Sequence, residues 1–242
     1  MSCDYLVSVV GAAVVIVPES DGWVAHDDLV NSVLLAQLVA NKEMEKKPEI
    51  NWYNAYVKVL DDFWLRQTKA QEERLITENC GESAIEWVVA AMSKGAPDEG
   101  QATAATLARV ASVSGTEPAM SLLRSHVQKT SADESTEVPA PARNVRLLVI
   151  LARTPTSVTS VYLEFKTRQE ISLNPLAQLF QAENVQGTVS MRYARVNLSE
   201  TLYGPARDAI AWKVRERLKG NVALLSLTDS CSGVQVPEEI ES

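Results

Sequence analysis

Nucleophilic triads, zinc sites and most general-base schemes at neutral pH lean on histidine, and this 242-residue chain has two, His26 and His126. His26 stands beside Asp27 and Asp28 just ahead of a helix, where carboxylates bias its pKa. His126 falls near a helix C-terminus, whose dipole favours the protonated ring. Neither has a ligand-spaced neighbour, so neither a catalytic histidine nor a metal site is expected. Cys3, Cys80 and Cys231 are odd in number, far apart and without a Cys-x-x-Cys pattern, which predicts reduced thiols in a cytoplasmic setting.

Asp27-Asp28, Asp61-Asp62 and Glu72-Glu73 offer carboxylates in adjacent pairs. Neighbours on a helix diverge by about 100° and cannot share a proton or a metal, so these pairs read as solvated faces, with one of Asp61 and Asp62 placed to meet Arg66. Neither standard phosphate-binding loop is present, so no cofactor is expected. Asn197-Leu198-Ser199 matches a glycosylation sequon with no secretory signal to give it meaning, and Asp229 to Gly233 resembles a nucleophile turn without its flanking glycine or a base.

Three constellations remain. Ligands of open α/β sheets bind beyond the carboxyl ends of strands, and the ends here carry Lys166 and Arg168, Asn197 and Ser199, and Asp229 and Ser230. On three parallel neighbours these six side chains would converge, the two cations holding an anionic substrate and Asp229 acting as base. Alternatively, Arg192, Arg195, Arg207, Lys213, Arg215, Arg217 and Lys219, interspersed with Tyr193, Tyr203 and Trp212, supply phosphate-pairing charges and stacking rings for nucleic acid. The third constellation is a pair of contact surfaces for protein partners. One is an aromatic helix with a polar continuation, marked by Trp52, Tyr56, Trp64, Arg66, Glu72 and Glu73, and the other is the basic helix from Arg207 to Lys219.

The elements that position these groups follow from period and punctuation. The apolar run from Tyr5 to Val17 lacks a basic flank and is too short for a bilayer, so it predicts no membrane contact and one bulged strand or two short ones broken at Gly11. Residues 28–45 form an amphipathic helix. Trp52, Tyr53, Tyr56, Val57, Leu60, Phe63 and Trp64 recur at spacings of three and four, which predicts a second helix running on through Glu73 towards Ile76. Ser83 with Glu86 makes a capping box for a third helix ending at Gly95, and shorter helices cover 101–112 and 117–128.

Residues 129–142 have a linker's composition, after which the period changes. Strands at 145–152 and 159–166 form a hairpin, Asn174-Pro175 starts a helix through Phe180, and Thr188 to Leu198 is a strand with a bulge near Ala194. Pro205 opens a helix stopped by Gly220, and 222–227 is a last strand. The expectation is an α+β fold: an N-terminal strand and helical region over 1–128, a linker, an α/β region of order ββαβαβ over 143–230 with its last three strands parallel, and an acidic tail over 231–242.

Charge follows the same division. Met1 to Ala142 carries 11 Lys and Arg against 21 Asp and Glu, whereas Arg143 to Ser242 carries 12 against 10, within a total of −8. An acidic whole argues against a dedicated duplex-DNA binder, and unlike poles can dock one copy on another. The chain therefore reads as a non-enzymatic self-assembling or adaptor protein, its partner a second copy in a homo-oligomer or another protein. Nucleic-acid binding or coat function through the basic C-terminal region is one alternative, and a small-molecule enzyme is the other.

Overall fold

The computed structural model describes residues 5–76, 81–129 and 142–227. Cys3, Cys80, Cys231, Asp229, Ser230, the acidic tail and nearly all of the 129–142 segment lie outside them. Ten strands alternate with seven α-helices among these residues. The apolar N-terminal run is two strands, β1 (Tyr5–Val10) and β2 (Ala13–Pro18), reversed at Gly11 with φ +57°. Helix α1 (Asp27–Lys46) and helix α2 (Trp52–Leu60) follow, the latter capped by the Asn51 side chain, which accepts from Asn54 N–H. Next come strand β3 (Trp64–Arg74), the short β4 (Glu82–Ser83), α3 (Ala84–Gly95) with its Ser83–Glu86 capping box, α4 (Pro97–Ala111) and α5 (Pro118–Val127). The short β5 (Gln128–Lys129) leads to the long hairpin of β6 (Arg143–Thr154) and β7 (Ser157–Thr167). The chain closes with β8 (Leu179–Phe180), β9 (Val185–Leu198), α6 (Glu200–Tyr203), α7 (Arg207–Asn221) and β10 (Val222–Leu225).

The fold is α+β, a mixed sheet between two helical layers. Its strand order is β10-β1-β2-β6-β7-β9-β3, with β5 joined to β6 off this path. Strands from both sides of the 129–142 segment thus share one sheet. Strand β6 lies inside it and alternates cleanly: Val145, Leu147, Val149 and Leu151 face α3, α4 and α5, while Leu148, Ile150 and Ala152 face α1, α2 and α7. Each fully buried Val or Leu of this kind contributes about 1.5–3 kcal/mol, so the two-sided burial of β2 and β6 anchors the molecule.

Four expectations need correction. The helix beginning at Trp52 ends at Leu60, and after a turn the chain becomes β3, because the polar stretch gains an antiparallel ladder with β9 from Trp64↔Leu198 to Arg74↔Val189. Residues 174–180 are not helical. Asn174 instead makes an Asx turn, its Oδ1 accepting from Leu176 N–H at 3.1 Å while its Nδ2 donates to the carbonyls of Val110, Ala111 and Val113.

Without a helix to cross over, β7 and β9 pair antiparallel, and β10 crosses the sheet to pair antiparallel with β1. The ββαβαβ order with three parallel strands is therefore not formed; β2 and β6 are the parallel pair. Strand β9, finally, keeps its phase through Ala194, since Val189, Met191 and Tyr193 enter one core and Ala194 and Val196 the other. The β3–β9 ladder shifts register on β3, between Arg66 and Thr68, and the β7–β9 ladder shifts between Glu164 and Lys166, where β9 has extra residues between Gln186 and Ser190.

Candidate functional site

The aromatic residues of α2 belong to the interior. Trp52 stacks on Tyr56 at 5.3 Å and on Tyr162 at 5.7 Å, and Tyr53 stacks on Tyr162 at 4.6 Å. Their polar tips are held as well, Trp52 Nε1 donating to Asn41 Oδ1 at 2.8 Å and Trp64 Nε1 to Ser32 Oγ at 3.0 Å. Burial pushes the Tyr56 and Tyr162 hydroxyls well above the ordinary tyrosine value, so both remain neutral. Trp52 and Tyr56 are thus part of a core stack, and Trp64 is a separate core residue.

Between α1, α2 and the sheet lies a cavity of about 30 Å³ lined by apolar groups such as Leu29, Val33, Ile150 and Val196. That is room for water rather than for a substrate. A larger cleft, about 330 Å³, opens where α1 and α5 meet the starts of β2 and β6. Three of its polar lining residues serve the fold: Gln37 clamps the β1–β2 turn, Asn41 holds Trp52, and Arg146 pairs with Glu164 at 3.0 Å while lying over the Trp52 ring.

His26 is buried, its Nε2 3.4 Å from Asp21 Oδ2. Burial lowers its pKa, opposed by the Asp21 carboxylate. Among the described residues no three His, Cys, Asp or Glu gather as a metal site would need.

The strand-end constellation does not assemble. Lys166 pairs with Gln186 and Ser157 with Asn197, so Lys166 and Arg168 lie at one end of the β7–β9 ladder and Asn197 and Ser199 at the other. At about 3.4 Å per residue the two ends are roughly 30 Å apart. The antiparallel direction of β9 is the cause.

On α7 the basic residues divide. Arg207 lies at the surface and ties the helix to α1 and α6, reaching Asp28 Oδ2 at 3.0 Å and Glu200 Oε2 at 2.6 Å. Lys213, Arg215, Arg217 and Lys219 are exposed, as is Trp212 at 67 % with the Arg215 guanidinium 5.4 Å over its ring. Trp212, Arg215 and Lys219 share one face by helical spacing.

Arg66, Glu72 and Glu73 all lie along β3, the outermost strand, but do not converge. Arg66 pairs with Asp61, Glu72 accepts from Lys94 Nζ at 2.6 Å, and Glu73 accepts from the Thr188 hydroxyl at 2.6 Å, which holds its carboxyl below the usual range. The backbone phase of β3 is set by its bulge. Phe63 C=O accepts from Ser199 N–H, so odd-numbered residues ahead of the bulge face β9. The extra residue between Arg66 and Thr68 reverses that, and beyond it the even residues Thr68 to Arg74 face β9. Lys69, Gln71 and Glu73 therefore turn their N–H and C=O groups to the open edge. Lys69 and Gln71 escape the helical reading of this segment, and the signal that could have found them is the alternation of Thr68, Ala70 and Glu72 with longer polar neighbours. Among the described residues no helix is long and apolar enough to cross a membrane. No protein-family model matches this sequence, and neither does any curated protein.

Proposed function

We propose that this chain is a non-enzymatic self-assembling protein acting through protein–protein contacts, with the outer edge of β3 as its principal contact. The observation that carries this is the strand itself, 11 residues long and paired among the described residues by β9 alone. A row of unpaired backbone groups is a template for another strand, and strand addition supplies affinity through main-chain hydrogen bonds. Charges of both signs along it discriminate between partners and registers.

The test is mass in solution by light scattering across concentration, for the native chain and for Gln71→Pro. Proline at position 71 removes an outward N–H that β9 does not use, so the internal ladder stays intact while the edge loses a donor. The expected result is a concentration-dependent oligomer that Gln71→Pro converts to a monomer that still unfolds cooperatively. A native chain that is monomeric at every concentration overturns the proposal.

One observation favours a second reading, binding of single-stranded nucleic acid on α7. The exposed Trp212 ring, with Arg215 and Lys219 on the same face, has the form of a stacking platform beside phosphate partners. Its test is a gel shift with single-stranded RNA and DNA, in which Trp212→Ala abolishes the shift.

A further inference from the structure

The geometry points to one register for the self-association just proposed: two copies pair antiparallel through β3 about a two-fold axis at Gln71, with Lys69 of each copy opposite Glu73 of the other. The inference rests on that proposal and goes further, because it names the partner as a second copy and fixes which residues meet.

Backbone phase supplies the first constraint. In an antiparallel pair, residues that turn their N–H and C=O to the edge must oppose residues that do the same. Under two-fold symmetry the paired residue numbers therefore sum to an even number, and the axis passes through a residue. With the axis at Gln71, the outward residues Lys69, Gln71 and Glu73 oppose Glu73, Gln71 and Lys69 of the second copy, so every open group on this side of the bulge finds a partner. Moving the axis to Ala70 or Lys69 leaves Glu73 facing the bulge or the residues ahead of it.

Charge gives the second constraint, and it selects the same axis. At Gln71 each Lys69 faces a Glu73 and Thr68 faces Arg74, with no like charges opposed. At Ala70, Arg66 would face Arg74, and at Lys69 the two lysines would face each other. Directly opposed unlike charges stabilise a strand pair and like charges weaken it. Position on the sheet is consistent too. Thr68, Ala70 and Glu72 face α3, lining a shallow groove with Lys94 and Tyr193, so Lys69, Gln71 and Glu73 stand together on the other face, where Glu73 meets Thr188.

Single cysteines at positions 69, 70, 71 and 73, in the full chain with Cys3, Cys80 and Cys231 replaced by serine, test the register under mild oxidation. With the axis at Gln71, the two Cα atoms of residue 71 are about 5.5 Å apart, within disulfide reach. Those of residue 69, four residues out of register, are about 14 Å apart. The expected result is a covalent dimer with Gln71→Cys, none with Lys69→Cys or Glu73→Cys alone, and a heterodimer when those last two chains are mixed.

Charge exchange is the second arm. Lys69→Glu and Glu73→Lys each weaken association on the order of tenfold, and the two combined in one chain restore it. A dimer by light scattering that crosslinks fastest at position 69 or 70, or that the combined exchange fails to restore, overturns the register and leaves self-association standing. A chain that never dimerises overturns both.

Discussion

The amide of Gln37 occupies the space that a side chain at position 11 would need, since a Cβ built on Gly11 lies 2.5 Å from Gln37 Oε1. That amide, projecting from the middle of α1, accepts from Ala12 N–H at 2.9 Å and donates to Val10 C=O at 2.7 Å, so it satisfies the buried turn joining β1 to β2. Gly11→Ala is expected to lower stability by about 2–4 kcal/mol, through the left-handed φ and the displaced amide. Gln37→Leu removes both bonds and leaves the buried Ala12 N–H unpaired, at about 1–3 kcal/mol. Urea unfolding checks both, the midpoint falling while the slope stays constant.

Asn174 holds the other unusual turn. Its Nδ2 lies 3.1–3.2 Å from three carbonyls at the end of α4. Asn174→Ala is expected to cost about 2–3 kcal/mol, because its amide is the side-chain donor that reaches these three carbonyls, while Ser112 Oγ serves only Arg109 C=O. Asn174→Asp is the sharper variant: it replaces the donor by a carboxylate facing three acceptors, and its thermal midpoint should fall below that of the alanine variant.

The two exposed-looking tryptophan motifs of the sequence separate in the structure, Trp52 being 2 % exposed and Trp212 67 %. Trp52→Ala is expected to lower stability by about 3–5 kcal/mol through the cavity it leaves between Tyr56 and Tyr162. Trp212→Ala should stay within about 0.5 kcal/mol of the native chain. Calorimetry of the two variants side by side measures the difference, and equal losses would mean that Trp212 is covered in solution.

The elements that the sequence made legible are those whose patterns are local. Ser83 and Glu86 bond each other's backbone as their spacing requires, and the alternation from Thr159 to Lys166 reports a strand with unlike faces. What the sequence could not disclose was decided at long range. Residues 64–74 carry a helix-compatible composition and become a strand because β9 supplies a ladder; Asn174 becomes a turn because α4 ends where its amide can reach three carbonyls. The candidate site was half visible for the same reason. Glu72 and Glu73 read as a solvated helical face, and only the bulge opposite Arg195 and Val196, a property of pairing, shows which of them turns its backbone to the edge.

Burial of His26 makes the fold sensitive to mild acid. Its ring is buried at the entrance to α1, and burial lowers its pKa below the ordinary 6.5, with Asp21 pulling the other way and losing. The unfolded chain therefore binds a proton that the folded chain resists. The corresponding stability is complete above about pH 6.5, is lost as pH falls from there towards the folded-state value, and levels off below it. Urea midpoints at about pH 7.5 and about pH 5.5, where carboxylates remain largely ionised, should show the native chain less stable at the lower pH. His26→Gln should remove most of that difference. A native chain that gains stability on acidification over this interval would instead mean that the Asp21 contact outweighs burial.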